Sequence, residues 1–306
     1  MTFVISKFLK FLLTTFSALI LVFLALRLAP GDPVEKILGP EAELREVQAL
    51  RVDLGLDKSL NEQFIDYMKL LSQGSLGKSL FKKKDVLQMI ALHLKPSVII
   101  GCFAIIISGL VGIFLGAWAA LNQENLKDKL QRVFSLLWLS FPIFSLAPIL
   151  VLIFSIILGW FPVSEWGDTK HIFLPVLTLV LPLSSVISRV TRNRFLEEKS
   201  SPWVLVLKAK GLHPLRRHIH VLRSIMPTIM NVIAIQMSVL LAGTMVTESI
   251  FDIPGLGQLL FEAIQNRDYP LVQGVIVYVG MLYLLVYFFI DIINSKIDPR
   301  IRDVNN

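Results

Sequence analysis

The sequence predicts an all-α membrane protein with six transmembrane helices. Three observations carry that expectation. Hydrophobic residues make up 54% of the 306 residues and charged residues only 17%, against roughly 25% charged in soluble domains. The apolar residues gather into six segments near the ~20 residues that cross a ~30 Å hydrocarbon core. The Lys and Arg residues of the short connections fall almost entirely on one side.

The first span is read at about Phe8–Leu28, uncharged from Phe11 to Leu26, with Lys10 and Arg27 able to snorkel at its ends. It resembles a leader, with Lys7 and Lys10 before an apolar run. It ends in "RLAPGDP" without a small-x-small cleavage site, so it is read as a retained span. The second span is about Ser97–Leu121, the third Val133–Leu158, the fourth Ile172–Val190, the fifth Ser224–Thr247 and the sixth Pro270–Ile290. The single cysteine, Cys102, lies in an apolar run and is expected to pack or face lipid.

Placing both termini in the cytoplasm puts seventeen positive residues inside. They come from the N-terminal end, the 2–3 loop, the 4–5 loop and the C-terminal tail. Only Lys170 and Arg267 are left in the short outward loops. The long 1–2 region holds ten more, but long translocated segments largely escape this rule. The net charge of +7 is thus explained by topology, and nucleic acid is not expected as a partner.

Gly101, Gly109, Gly112 and Gly116 recur at helical spacing in span two, where small residues let helices approach closely; helix packing is the expected role. Pro142 and Pro148 in span three, and Pro175 and Pro182 in span four, should bend those helices. In the outward region, Glu41–Val52, Ser59–Leu71 and Asp85–Leu94 read as short amphipathic helices. Between them "GSLGKSL" (Gly74–Leu80) imitates a phosphate loop. Such a loop needs a glycine five residues before Gly77, and that position is Ser72. A structural turn is the better reading.

No Asp, Glu, Lys, Arg or His lies at the centre of any span, so no ion-coupling site is evident. No HExxH or GxSxG motif occurs. His213, His218 and His220 cluster in the 4–5 loop but lack further convergent ligands, and polar faces of interfacial helices account for them. Work must then come from a partner, or passage must be passive. The 4–5 loop, about Arg192–Arg223, is the candidate dock. It reads as two short helices, Pro202–Lys210 and Pro214–Leu222, broken at Gly211, with Trp203, Val204, Leu207 and Leu212 as an apolar ridge. Resting on lipid headgroups explains such a ridge equally well from the residues alone.

"LKAKGL" (Leu207–Leu212), with a basic helix and Pro227 after it, resembles the cytoplasmic loop of binding-protein-dependent ABC importer permeases. More narrowly, the chain is similar to the first of the two permeases in dipeptide, oligopeptide and nickel importers. "RLAPGDP" (Arg27–Pro33), "GSLGKS" (Gly74–Ser79), "TESIFDIPGLGQLLFEAIQNRDYPLVQG" (Thr247–Gly274) and "DPRIR" (Asp298–Arg302) agree in order. The chain departs at Leu205, Val206 and Leu207, where the wider family has Glu-Ala-Ala, and at Ser75, where the subgroup has Asp.

The resemblance implies a type I importer fold: residues 1-30 as the first span, 31-96 as an extracytoplasmic segment, and 97-306 as a five-helix core with its coupling loop at 192-223. It implies a bacterial inner-membrane permease without an ATPase site of its own. Its partners would be a second permease, two cytosolic ATPases that use ATP and Mg, an extracytoplasmic binding protein and membrane lipid. No cofactor would be bound by this chain. Docking would fall to Trp203, Val204, Leu207, Lys208, Ala209, Lys210, Gly211 and Leu212. Phe251, Pro254, Gly255, Leu256, Gly257, Asp268 and Tyr269 would gate the pathway or meet the binding protein. Di- or oligopeptides are the expected cargo. Nickel or other small solutes, or a self-contained channel, are the alternatives.

Overall fold

The computed structural model describes residues 2–28, 31–39 and 41–297, with side chains described from 13 onward except 238, 241, 242 and 287–297. "DPRIR" and two residues of "RLAPGDP" therefore lie outside the described residues. The described chain is helical, without a strand: α1 (Thr2–Leu28), α2 (Pro33–Leu38), α3 (Leu44–Asp53), α4 (Leu60–Ser72), α5 (Val86–Leu121), α6 (Leu126–Ser140), α7 (Ile143–Leu150), a π-helical segment (Val151–Ile157), α8 (Thr169–Lys199), α9 (Pro202–Ala209), α10 (Pro214–Ile250), α11 (Leu256–Asn266) and α12 (Tyr269–Ile297).

Four helices are long and apolar enough to cross a membrane, or five if a bent pair counts as one span. The described apolar part of α1, Leu13–Leu28, is shorter than these. The count of six spans thus remains an expectation of the sequence.

The third span is not one helix. α6 and the helix that follows Pro142 are bent by 104°. Proline disfavours helical backbone in the residue before it, and Phe141 is extended at φ −89°, ψ 119°. Pro142 then serves as the N-cap of α7. By contrast, α8 runs on through Pro175 and Pro182. Two expected boundaries vanish as well. The amphipathic helix at 85–94 and span two are one 36-residue helix passing through Pro96. The expected second short helix of the 4–5 loop, Pro214–Leu222, is the start of the 37-residue α10. "LRRHIHVLRSIM" (Leu215–Met226) contains no residue that breaks a helix, and Pro227 does not end it either.

The described chain forms two compact units, Met1–Lys95 with Pro254–Leu285, and Pro96–Ile253 with Val286–Asn306. In the first, α4 is fixed by a capping box in which the Ser59 hydroxyl and Glu62 carboxylate each accept from the other's backbone N–H. Tyr67 of this helix packs with Phe23, Leu19 and Val277. A second cluster joins Val86, Met89 and Ile90 to Leu256, Leu259, Leu271 and Val275.

In the second unit, α5 presents Phe103, Ile106, Leu110 and Phe114 outward at spacings of three and four, as a lipid-facing stripe should. Its opposite side carries the glycines. A Cβ on Gly101 or Gly109 would meet Leu240 or Ile233 at 3.6 Å, ordinary contact with α10. A Cβ on Gly112 would lie 2.7 Å from Ile187 Cβ, and one on Gly116 would lie 2.5 Å from the Ser188 carbonyl oxygen, both on α8. Helix packing within the chain is therefore the role of this face. Gln131 donates through Nε2 to Ser188 Oγ at 2.5 Å and to Ser135 Oγ at 2.8 Å, so α6 is tied to the same side of α8.

Gly116→Val is expected to force α5 from α8 and to cost about 1–3 kcal/mol. Thermal unfolding in detergent reads this. An unchanged midpoint would show that the close approach is not a constraint.

Candidate functional site

The basic 4–5 loop is built from three elements of the second unit. α8 ends at Lys199, and α9 begins with Pro202 in its first turn, where the missing N–H costs nothing. α9 ends in a Schellman motif. Leu212 N–H donates to the Leu207 carbonyl at 3.1 Å, and Gly211 N–H donates to that of Lys208 at 3.0 Å. This geometry needs positive φ, and Gly211 has φ +76°. Pro214 then opens α10, capped by the His213 side chain, which accepts from Leu215 N–H. His218 does something different: its ring lies 6.0 Å from that of Phe195.

The ridge read from sequence divides in two. Val204 is buried at 6% exposure, packed with Phe195, Val221 and Ile225, so it anchors α9 and does not face outward. Trp203, Lys208, Ala209, Lys210 and Gly211 are exposed, while Leu207 and Leu212 are half-buried. Leu205 and Val206 complete the exposed apolar surface of α9, and Leu215 and Ile219 that of the start of α10. Sequence reasoning treated Leu205 and Val206 only as departures from a pattern. It also missed Glu198. This carboxylate accepts from Trp203 Nε1 at 2.6 Å and from Ser224 Oγ at 3.0 Å, tying α9 to both α8 and α10. A single acidic residue just before a helix end carries no periodic signal that would single it out.

Deeper in the same unit, the Arg192 guanidinium grips Asp128 in a bidentate pair at 2.5 and 2.8 Å. Asp128 is fully buried on α6, and Glu124 N–H adds a third bond at 3.1 Å. A buried carboxylate needs such partners to remain charged.

The residues expected at the outer face divide between the two units. Phe251 is in the core of the second unit with Ile253 and Leu146. Pro254–Tyr269 belong to the first unit. There Gly255 caps α11, and Leu256 packs into the core. Gly257 is half-buried in the first turn of α11. The exposed apolar residues of α11 are Phe261 and Ile264, which sequence reasoning did not single out.

Asp268, at 2% exposure, is a junction rather than a surface residue. Its carboxylate accepts from Ser79 Oγ at 2.5 Å and Leu80 N–H at 3.1 Å, and caps α12 through Leu271 N–H at 3.4 Å. "GSLGKS" and "RDYP" are thus one structure. The imitation phosphate loop spends its Ser79 hydroxyl on Asp268, and Pro270 rests against Gly77. "RLAPGDP" joins them, since the Arg267 guanidinium fills the space a Cβ on Gly31 (φ +113°) would need. Asp32, beside it, caps α2 and pairs with Arg51.

The fold and the loop define a helical membrane protein with close-packed glycine faces and an exposed short helix on a basic loop. The comparisons carry this further. Residues 112–303 match the family described as binding-protein-dependent transport system inner membrane component, and residues 1–94 match the N-terminal family of such membrane components. The chain belongs to this family, the permease subunits of ABC importers. It is 35% identical over 292 residues to a probable peptide ABC transporter permease of Sinorhizobium fredii, covering 92% of this chain and 93% of that one. It is 33% identical over 303 residues to the glutathione transport system permease protein GsiC of Salmonella typhimurium, and 32% to that of Escherichia coli K12, with 99% of both chains covered in each case.

Asp268→Ala should leave the Ser79 hydroxyl and Leu80 N–H unpaired, at about 1–3 kcal/mol for each buried donor. Trypsin should then cut after Lys82, Lys83 or Lys84 faster than in the wild type. Unaltered cleavage would remove Asp268 from its place as the junction.

Proposed function

We propose that this chain is the peptide-translocating permease subunit of an ATP-driven importer, and that α9 with its Gly211 turn is where a cytosolic ATPase docks. The observation that carries the reading is near full-length similarity to permeases named for peptide and glutathione transport. The geometry of α9 supports the docking role. An eight-residue helix, held from below by Val204 and from the side by Glu198, presents Trp203, Val206 and Ala209 outward with Lys208 and Lys210 beside them. Aromatic and aliphatic groups flanked by cations suit a groove with an acidic rim.

In this reading both termini and the 4–5 loop are cytoplasmic. The chain hydrolyses nothing itself and binds no cofactor; partner subunits use ATP and Mg. A second permease completes the pathway. A binding protein delivers the peptide outside, and the exposed Phe261 and Ile264 of α11 are a better contact for it than the buried Leu256, Asp268 or Tyr269. Closure of the ATPases moves α9, and α9 moves α8 and α10 with it as linked rigid bodies.

Ala209→Trp tests the dock without touching the turn. Ala209 is exposed on α9, so the helix should persist while a close-fitting groove is blocked. Co-purification of the ATPase subunits and ATP-driven dipeptide uptake should each fall at least tenfold. Normal assembly and normal uptake would refute the assignment of α9.

A further inference from the structure

The first unit contains a positive charge with no counterion among the described residues. Arg27, at the end of α1, donates through Nε to Gln63 Oε1 at 2.8 Å and through Nη1 to the Phe23 carbonyl at 3.4 Å. Its guanidinium lies 3.5 Å from the centre of the Phe23 ring and 5.8 Å from that of Tyr269. Every one of these partners is neutral, and among the described residues Nη2 has no hydrogen bond.

Arg27 lines a cavity of about 340 Å³. Gln63, Tyr67, Tyr269 and Gln273 line it too, with Leu76 and Pro270 among its apolar walls. Two of these side chains bury donors that have no acceptor among the described residues, the Tyr67 hydroxyl and Gln273 Nε2. Tyr67 is 8% exposed and Gln273 3%. Burial pushes the Tyr67 phenol up to about 12, so the hydroxyl keeps its proton at neutral pH. Buried donors are almost always paired in a finished fold. Of the acids that line the same cavity, Asp66 is held by Lys58 at 2.8 Å and Asp53 is exposed on α3.

We propose that this cavity is a carboxylate-binding subsite that receives the C-terminus of a short peptide. A carboxylate offers about four acceptor positions and pairs with a guanidinium edge. Arg27 Nη2, the Tyr67 hydroxyl and Gln273 Nε2 supply the donors it lacks, and the apolar wall accepts the adjoining side chain. The volume matches the lower range of small-molecule sites, about 300 Å³ and above. The assignment of the carboxylate to a peptide rests on the peptide-importer reading; the oxyanion chemistry of the cavity does not.

The test uses the full chain in phosphatidylcholine nanodiscs, with dialanine, dialanine amide and inorganic phosphate as calorimetric probes. Dialanine should bind saturably, and the amide and phosphate at least tenfold more weakly. Arg27→Gln and Gln273→Leu should each weaken dialanine at least tenfold. Gln273→Leu keeps the volume and removes an unpaired donor, so it leaves the melting temperature at or above that of the wild type and separates binding from folding. Equal binding of dialanine and its amide, or indifference to both substitutions, would overturn the subsite. Phosphate binding as tightly as dialanine would assign the cavity to phosphate or a lipid headgroup and overturn the peptide assignment. ATP-driven uptake by the assembled complex is scored separately. Loss of the subsite with uptake intact leaves the importer reading standing, whereas wild-type assembly that binds dialanine without importing it removes that reading alone.

Discussion

The carboxylate of Asp268 sets the organisation of the first unit. A charged group at 2% exposure survives only if its lone pairs are filled. Here Ser79 Oγ, Leu80 N–H and Leu271 N–H fill them. Two of these donors come from a loop before α5, 189 and 188 residues from Asp268 in the chain, and the third from the first turn of α12. Closing that contact brings Pro270 onto Gly77 and places the Gly274 backbone against Val86, where a Cβ would sit 2.4 Å from Val86 Cγ1. The glycine at 274 is a consequence of that closeness, whereas Gly77 is called for by its own φ of +82° and meets Pro270 only in ordinary contact.

The second unit answers the same problem differently. A row of its buried polar groups lies on α8, at Ser184, Ser185, Ser188 and Thr191. Ser184 and Ser185 return their hydroxyls to the carbonyl of Leu181, while Ser188 accepts from Gln131 on α6. Small hydroxyl side chains on this row let Gly112 and Gly116 of α5 sit against the Ser184 and Ser188 carbonyls. The Asp128–Arg192 pair then fixes α6 at the end of this seam. Removing either partner would strand a buried charge, so the pair acts as a fixed joint.

Local backbone chemistry was legible in the sequence, and contacts between distant residues were not. Gly211 followed by Pro214 predicts a helix end and a helix start from stereochemistry alone, and the Schellman bonds and φ of +76° are there. Ser59 with Glu62 marks the start of α4 for the same reason. The membrane class and most spans follow from apolar run length. The 104° break at Pro142 exceeds the expected bend because Phe141 turns extended before the proline. No local signal separates Pro142, before which a helix ends, from Pro227, through which one continues. Glu198 and Asp268 were illegible as junctions, since a lone acid shows its role only once its donors, on other elements, are in place. The outward motifs were recognisable as a set without any hint that they bind one another.

That contrast bears on how motion could pass through the chain. α9 is short, and by itself an eight-residue helix is marginal in water. Its rigidity comes from Val204, packed with Phe195 of α8 and with Val221 and Ile225 of α10, and from Glu198, which bonds Trp203 and Ser224 at once. A displacement of α9 therefore cannot be absorbed by the loop; it must shift α8 and α10 together. α10 is one helix from Pro214 to Ile250, without the boundary expected between Leu222 and Ser224. A push at the Pro214 end of α10 is carried along the helix to Glu248, which accepts from Ser97 Oγ at 2.6 Å on α5. The merging of the expected second short helix with a span, invisible in the apolar pattern, thus makes the loop continuous with a stiff helix where two separate helices would have left a joint.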